Sequence, residues 1–366
     1  MSKSAERRPL DGRKPIRTAP GARHTCRLCA HSCHNYTVVL SELEARRLAL
    51  DEWRPLLHKV PDDLPLVQRQ GAQYILNKRP DGACVFLGAD GLCVIHKESH
   101  PESKPLACQM FPLQAVQAPD GVYLSLNSGC RRLIDQGEAD PLLDEADARR
   151  MLSQAAGLIS LGETIMLSPT TMILYEDFLH WQDQIEALIG REVSTFNEFW
   201  ERLQETARLI LTIEPEALTD PVQEWQIMFR RIEATLRGDH NHSGPRQMLV
   251  RRVLQWIPQL TQTGFPLTLP QLEIPGGAAF CARVTGQFLA GRQAAFWETA
   301  IGAWSGLVIG LTVGIMAAAL IPFDPARYPA PGHVLNDTLA DALMLMGLPS
   351  AAVSSELQKA FLRALG

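Results

Sequence analysis

At 366 residues and 40.5 kDa the chain is long enough for two or three compact units, each able to bury a core without help from disulfides. A hydrophobic share of 46%, a charged share of 20% and a net charge of -5 are ordinary for a globular protein and exclude a global attraction to nucleic acid or to an anionic membrane. Residues Met1 to Arg8 lack the apolar run of a secretory signal, so a cytoplasmic protein is the default expectation, and clustered cysteines there act as ligands or redox groups.

Residues 1–23 carry Lys3, Arg7, Arg8, Arg13, Lys14, Arg17 and Arg23 among Pro, Gly and Ser without apolar periodicity, which predicts a disordered basic tail. Ser41 and Glu44 have capping-box spacing and predict a helix running toward Trp53, ended by the proline-containing stretch 55–65. Two apolar runs, Cys84-Val85-Phe86-Leu87 and Leu92-Cys93-Val94-Ile95, flank Gly88-Ala89-Asp90-Gly91 and predict a hairpin. Pairing Leu87 with Leu92 and Phe86 with Cys93 puts Cys84 and Cys93 on one face. A short helical turn is expected near Cys108, followed by a second hairpin from Leu113 to Leu126 turning at Ala118-Pro119-Asp120-Gly121.

Beyond Asp140 the pattern turns helical. Asp140-Pro141 and Asp220-Pro221 each place a capping acid before a proline suited to a first helical turn, and 221–237 has an apolar stripe closed by Gly238. His240 and His242 fall in a polar loop, and Phe265 to Gly277 reads as an extended connection. Thr299 to Phe323 contains no charged residue, and Gly302, Gly306, Gly310 and Gly314 recur at the spacing of close helix contacts. That segment is read as a buried bundle helix, with a membrane span as the alternative.

The chain therefore reads as mainly α: a small cysteine-rich α+β metal-binding domain with short hairpins, followed by an α-helical region. Its expected division is a tail at 1–23, the cysteine domain at 24–138, a helical domain at 139–238, a loop-rich connection with a helix at 239–277, and a helical region at 278–366 with the apolar helix at 299–323.

Seven of the eight cysteines fall between residues 26 and 130. Thiolates are soft ligands, and close pairs such as Cys26 and Cys29 let the backbone turn around one metal. The expected metal ligands are Cys26, Cys29, Cys33, Cys84, Cys93, Cys108 and Cys130, with His34 as an accessory nitrogen. Cys281, in an apolar context, reads as a buried structural thiol. A zinc site or a 4Fe-4S cluster takes four ligands, so seven cysteines leave either a second metal or spare thiols.

The order of these motifs resembles the YkgJ-type cysteine-cluster family over about residues 24–133. The resemblance is carried by Cys26, Cys29 and Cys33, by Gly82 to Leu87 followed by Asp90 to His96, by Lys104 to Pro112, and by Cys130. This chain has Cys33-His34 where family members often carry a double cysteine, and Lys104 and Gln109 where arginines are usual. The resemblance implies zinc or iron chelation. It also extends to flagellin lysine N-methylases, which implies protein-lysine N-methylation, with S-adenosylmethionine as donor, as the enzymatic alternative. No catalytic residue or nucleotide-type pocket is legible, since no glycine-rich strand-to-helix turn is present. The expected function is a zinc or iron-sulfur protein whose helical region meets a protein partner, without nucleic acid. A membrane-anchored redox or assembly factor is the remaining alternative, through residues 299–323.

Overall fold

The computed structural model describes residues 5–130, 132–155, 157–168, 170–189, 193–213, 230, 274–292, 299–320, 323–325 and 328–346. They fall into two compact units, one holding 25–112 and the other holding 5–24 and the described residues from 113 onward. The expectations for 221–238, apart from Arg230, and for His240 and His242 lie outside the described residues.

In chain order, β1 (Ala5–Arg8) and β2 (Ile16–Thr18) open the larger unit, within the tail that was expected to be disordered. The cysteine unit then runs α1 (His31–Asn35), β3 (Val39–Leu40), α2 (Glu42–Leu48), β4 (Val67–Gln70), β5 (Gln73–Leu76), α3 (Val94–Glu98) and α4 (Leu106–Met110). The chain returns to the larger unit with β6 (Leu113–Ala118), β7 (Gly121–Leu126), α5 (Glu145–Ser153), β8 (Leu158–Leu161), β9 (Thr164–Met166), β10 (Met172–Leu174), α6 (Tyr175–Ile189) and α7 (Phe196–Ile213). Its last described helices are α8 (Gly277–Ala290), α9 (Ala300–Leu320) and α10 (Pro331–Met346).

The fold is mixed, and this corrects the mainly-α expectation. The larger unit is built on a five-stranded sheet in the order β1-β8-β6-β7-β2, with β2 parallel to β7 and β6 parallel to β8. Its edge strands, Ala-Glu-Arg-Arg and Ile-Arg-Thr, are basic and short, as suits edges that must not recruit other chains. Such short runs carry too few alternations to be read as strands. Tertiary pairing, such as Arg7 opposite Ile159, defines them.

The hairpin at the sheet centre forms as its turn chemistry dictates: Ala118 pairs with Gly121 across Pro119-Asp120, and Leu113 with Leu126. All six residues of β7 are buried. The Leu126 N–H donates to Gln287 Oε1 of α8 at 3.1 Å, so that helix covers part of the strand. The turn is fixed by Asp120, whose carboxylate accepts from Tyr123 Oη at 2.5 Å and from Tyr175 Oη, at the start of α6, at 2.8 Å.

Asp140 does not start a helix. Residue Leu142 bridges to Arg23 in extended pairing, and Asp140 Oδ2 accepts the Gly137 N–H at 3.0 Å. The helix begins later, where Asp144 Oδ1 accepts from Asp147 N at 2.8 Å.

Helix α9 spans most of the uncharged 299–323 segment, and 89% of its most apolar 18-residue window is buried within the fold. Trp304, fully buried, stacks on Phe178 of α6 with centroids 5.6 Å apart. By length and composition α9 is also the one helix among the described residues able to cross a bilayer. Its glycines serve close approach to α10. A Cβ at Gly314 would lie 2.8 Å from Leu339 Cα, and one at Gly310 would lie 2.8 Å from Leu343 Cδ2. Gly314→Ala is therefore expected to destabilise by about 1–3 kcal/mol, because backbone must move. Gly310→Ala should cost less, because the first atom met is a movable side-chain end. Paired urea titrations at matched m-value would check the order, and equal losses would refute the close-contact account.

Candidate functional site

The cysteine unit holds Cys26, Cys29, Cys33, Cys84, Cys93 and Cys108, all as free thiols. Cys130 lies in the other unit, buried in the turn after β7, where its N–H donates to Asn127 O at 3.0 Å. The expected cysteine domain at 24–138 held all seven thiols, whereas the compact units divide them six and one. The boundary falls at Pro112, because the hairpin that follows pairs into the larger sheet.

Cys26 and Cys29 are exposed on the entry segment. Leu28 and Ala30, on either side of Cys29, adopt left-handed backbone with φ of 50° and 55°. Residues with a Cβ are uncommon there and bear a steric cost, so the segment is held by its surroundings and not by local preference. Ala30 then caps α1, which carries Cys33 and His34, and its carbonyl accepts the His34 N–H at 3.2 Å.

The expected hairpin over 84–95 does not form, and this is a second correction. The reversal exists, with Gly88 N–H on Leu92 O at 2.8 Å and Val94 N–H on Phe86 O at 2.9 Å, but Leu87 and Cys93 make only an isolated bridge. Cys93 is the N-cap of α3 instead, its carbonyl accepting from Lys97 N at 3.2 Å. Lys97 and Asp90 pair at 2.7 Å and hold the turn to the helix. The strand argument for thiols sharing a face therefore fails, and other contacts set their positions.

Those contacts converge on the Cys33 carbonyl. It accepts the Cys84 N–H at 2.9 Å and the Lys78 ammonium at 2.5 Å, which ties α1 to the segment leading into Cys84. Arg79, 7% exposed, supports the same segment: Nη1 donates to His58 O at 2.8 Å and Leu87 O at 2.9 Å, while Nε and Nη2 grip Asp81 at 3.2 and 3.1 Å. Asp81 in turn accepts the Ala83 N–H at 3.0 Å, and Gly82 supplies the turn with φ of 83°. Below lies an apolar core in which Trp53 meets Phe86 edge-on at 5.5 Å.

Cys108 arrives on α4. The expected capping box of α2 is present: Ser41 N–H donates to Glu44 Oε2 at 2.7 Å and Glu44 N–H to Ser41 Oγ at 3.3 Å. The other oxygen of Glu44 accepts the Leu106 N–H, the first of α4, at 2.7 Å. One carboxylate thus caps two helices and fixes the Cys108 helix to α2. Helix α2 itself ends at Leu48, and Trp53 follows in a 3-10 turn over Asp51–Leu56.

Electrostatically the thiols behave as a group. Burial first, then the thiolates of Cys84, Cys93 and Cys33, drive Cys108 far above the ordinary thiol range. Cys84 is pushed up to about 11 by burial, with Lys78 opposing and Cys33 and Cys93 adding. Cys33 is raised by burial and by Cys93, and Cys26 adds a smaller push. Lys78 is lowered by burial and held up by Cys84, Cys33 and Cys108. His34 is lowered by burial and Lys78, which favours a neutral ring. Lys78, at the centre of this field, carried no signal in the sequence, because one lysine before a Pro-Asp-Gly turn looks like any exposed loop residue.

No family model, curated protein or solved structure matches the chain. The family resemblance therefore stands on the motif residues alone. Among the described residues, no three His, Cys, Asp or Glu side chains are arranged to hold a metal ion. The donor chemistry suits a thiophilic metal, with Cys33, Cys84, Cys93 and Cys108 sharing one electrostatic neighbourhood, but the thiols are not drawn to a common centre. Cys281 is fully buried in α8, where it was expected to be structural.

Protonation of Cys84 gives a pH signature. A thiol whose folded value is about 11, above its ordinary 9.0, stabilises the metal-free fold below pH 9, and this contribution is lost as pH rises toward 11. The expected loss is roughly 2–3 kcal/mol. Chemical denaturation of metal-free protein and of Cys84→Ala across this range would check it; the variant should show a smaller decline.

Proposed function

We propose that the chain is a metal-binding cysteine-cluster protein in which Cys33, Cys84, Cys93 and Cys108 form the primary donor set, for zinc or for an iron-sulfur cluster. The supporting observation is their mutual electrostatic coupling around Lys78 within one unit. Cys33, Cys84 and Cys108, buried or half-buried, resist ionisation, and a bound cation reverses that cost by neutralising the thiolates together. Cys26 is a reserve ligand, since its charge reaches Cys33. A zinc ion held this way supplies fixed positive charge and folding energy, whereas an iron-sulfur cluster supplies electron transfer. The protein's own residues contribute positioning: the Cys33 carbonyl pins Cys84 and Lys78, and the Arg79 fork holds the loop. The lysine-methylation alternative rests on the resemblance alone and receives no residue here.

Anaerobic purification followed by metal and acid-labile sulfide analysis tests the proposal. Zinc without sulfide, at about one ion per chain, supports the closed thiolate site. Iron with matching sulfide supports the cluster. Freshly isolated protein with only trace metal, and no uptake of zinc or iron on reconstitution, would refute both.

A further inference from the structure

The larger unit contains a second candidate site that the cysteine chemistry does not use. A cleft of about 370 Å³ opens beside α8. That volume is in the range of small-molecule sites. Its apolar wall includes Leu133, Phe280, Val284 and Phe288, each at most 8% exposed. Its polar lining includes Arg23, Arg283, Gln136 and Glu138.

Three of these groups have unspent capacity. The Arg283 guanidinium lies 5.9 Å over the Phe280 ring and has no carboxylate or carbonyl partner among the described residues. Arg23 uses one nitrogen on Asp140 O, at 2.7 Å, and keeps its remaining donors. The Gln136 amide spends its nitrogen on His24 Nδ1 at 2.5 Å and leaves Oε1 buried without a partner. A buried acceptor without a donor is costly, and a ligand donor placed there removes the cost.

We infer that this cleft binds a free α-amino acid with a large apolar side chain. The carboxylate pairs with Arg283 and Arg23, the ammonium is shared between Gln136 Oε1 and the Glu138 carboxylate, and the side chain lies on the Phe280, Val284 and Phe288 wall. Each polar feature answers one ligand group: two cations for one anion, an acceptor and an anion for the ammonium. An apolar acid without the ammonium leaves Gln136 and Glu138 unanswered. A phosphorylated ligand would bring its second charge against Glu138. The inference is independent of the metal reading, since none of these residues belongs to the cysteine unit.

The test is isothermal titration of the full chain with L-phenylalanine and its analogues 3-phenylpropionate and phenethylamine, and separately with L-leucine. L-Phenylalanine or L-leucine is expected to bind saturably, with each analogue weaker by about tenfold or more, the loss of a charge-assisted hydrogen bond. Arg283→Gln and Glu138→Gln change exposed side chains and should leave the circular dichroism unchanged. Arg283→Gln should narrow the preference for L-phenylalanine over phenethylamine, since Arg23 alone then meets the carboxylate, and Glu138→Gln should narrow the preference over 3-phenylpropionate. Equal binding of all three compounds, unchanged selectivity in both variants, or no saturable heat with either amino acid would overturn the assignment.

Discussion

Cys84→Ser and Cys108→Ser are each expected to lower metal affinity by more than about 100-fold, beyond the 10- to 100-fold typical of outer-shell changes, whereas Cys281→Ser and Cys130→Ser should leave the metal content unchanged. The contrast follows from where the thiols sit. Cys84 is buried and Cys108 half-buried in one unit, and both couple to Cys33 and resist ionisation without a cation. Cys130 belongs to the other unit, and Cys281 is enclosed in α8. Cys26→Ser should have an intermediate effect, because it is exposed and touches the group only through Cys33. Because metal binding must displace protons from high-pKa thiols, wild-type affinity should rise with pH through neutrality. Metal content by mass spectrometry of freshly purified variants, paired with chelator competition, reads both effects. Loss of metal from Cys130→Ser alongside retention in Cys84→Ser would assign the site elsewhere.

Arg79→Met is the second large expected effect, on stability and not on metal chemistry directly. The substitution strands the His58 and Leu87 carbonyls, which the guanidinium now satisfies at 2.8 and 2.9 Å. The buried Leu87 carbonyl left unpaired costs about 1–3 kcal/mol and the half-buried His58 carbonyl adds less, so a loss of about 2–3 kcal/mol is expected. The Asp81 pair adds little, since that carboxylate is 52% exposed. Arg79→Lys should recover only part, because an ammonium cannot reach two carbonyls and a carboxylate in the fork geometry of a guanidinium. Urea unfolding of the metal-free protein gives the magnitude. A loss within experimental scatter would mean that water takes over the carbonyls and that the loop is not held by this side chain.

Local chemistry was legible wherever neighbouring residues decide the outcome. The Ser41 and Glu44 capping box, the Pro119-Asp120 hairpin and the short helix at Cys108 all form as their spacing predicts. The apolar character of α9 and its close-packing glycines could also be read, though not the partner, which is α10. Where two local signals competed, tertiary context won. Val94-Ile95 reads as strand by composition, yet it begins a helix capped by Cys93, because Lys97 reaches back to Asp90.

The sequence by itself determined which atoms are available: a concentration of soft thiols, their order along the chain, and the residues able to turn tightly between them. Tertiary structure decided which of them meet. It placed Cys130 and Cys108 in different units by pairing the intervening hairpin into a sheet whose edge strands come from residues 5–8 and 16–18. It also set Lys78 among the thiols and left Gln136 Oε1 without a partner beside Arg283. Long-range pairing and burial are properties of distances between residues remote in sequence, and neither spacing nor composition encodes those distances one segment at a time.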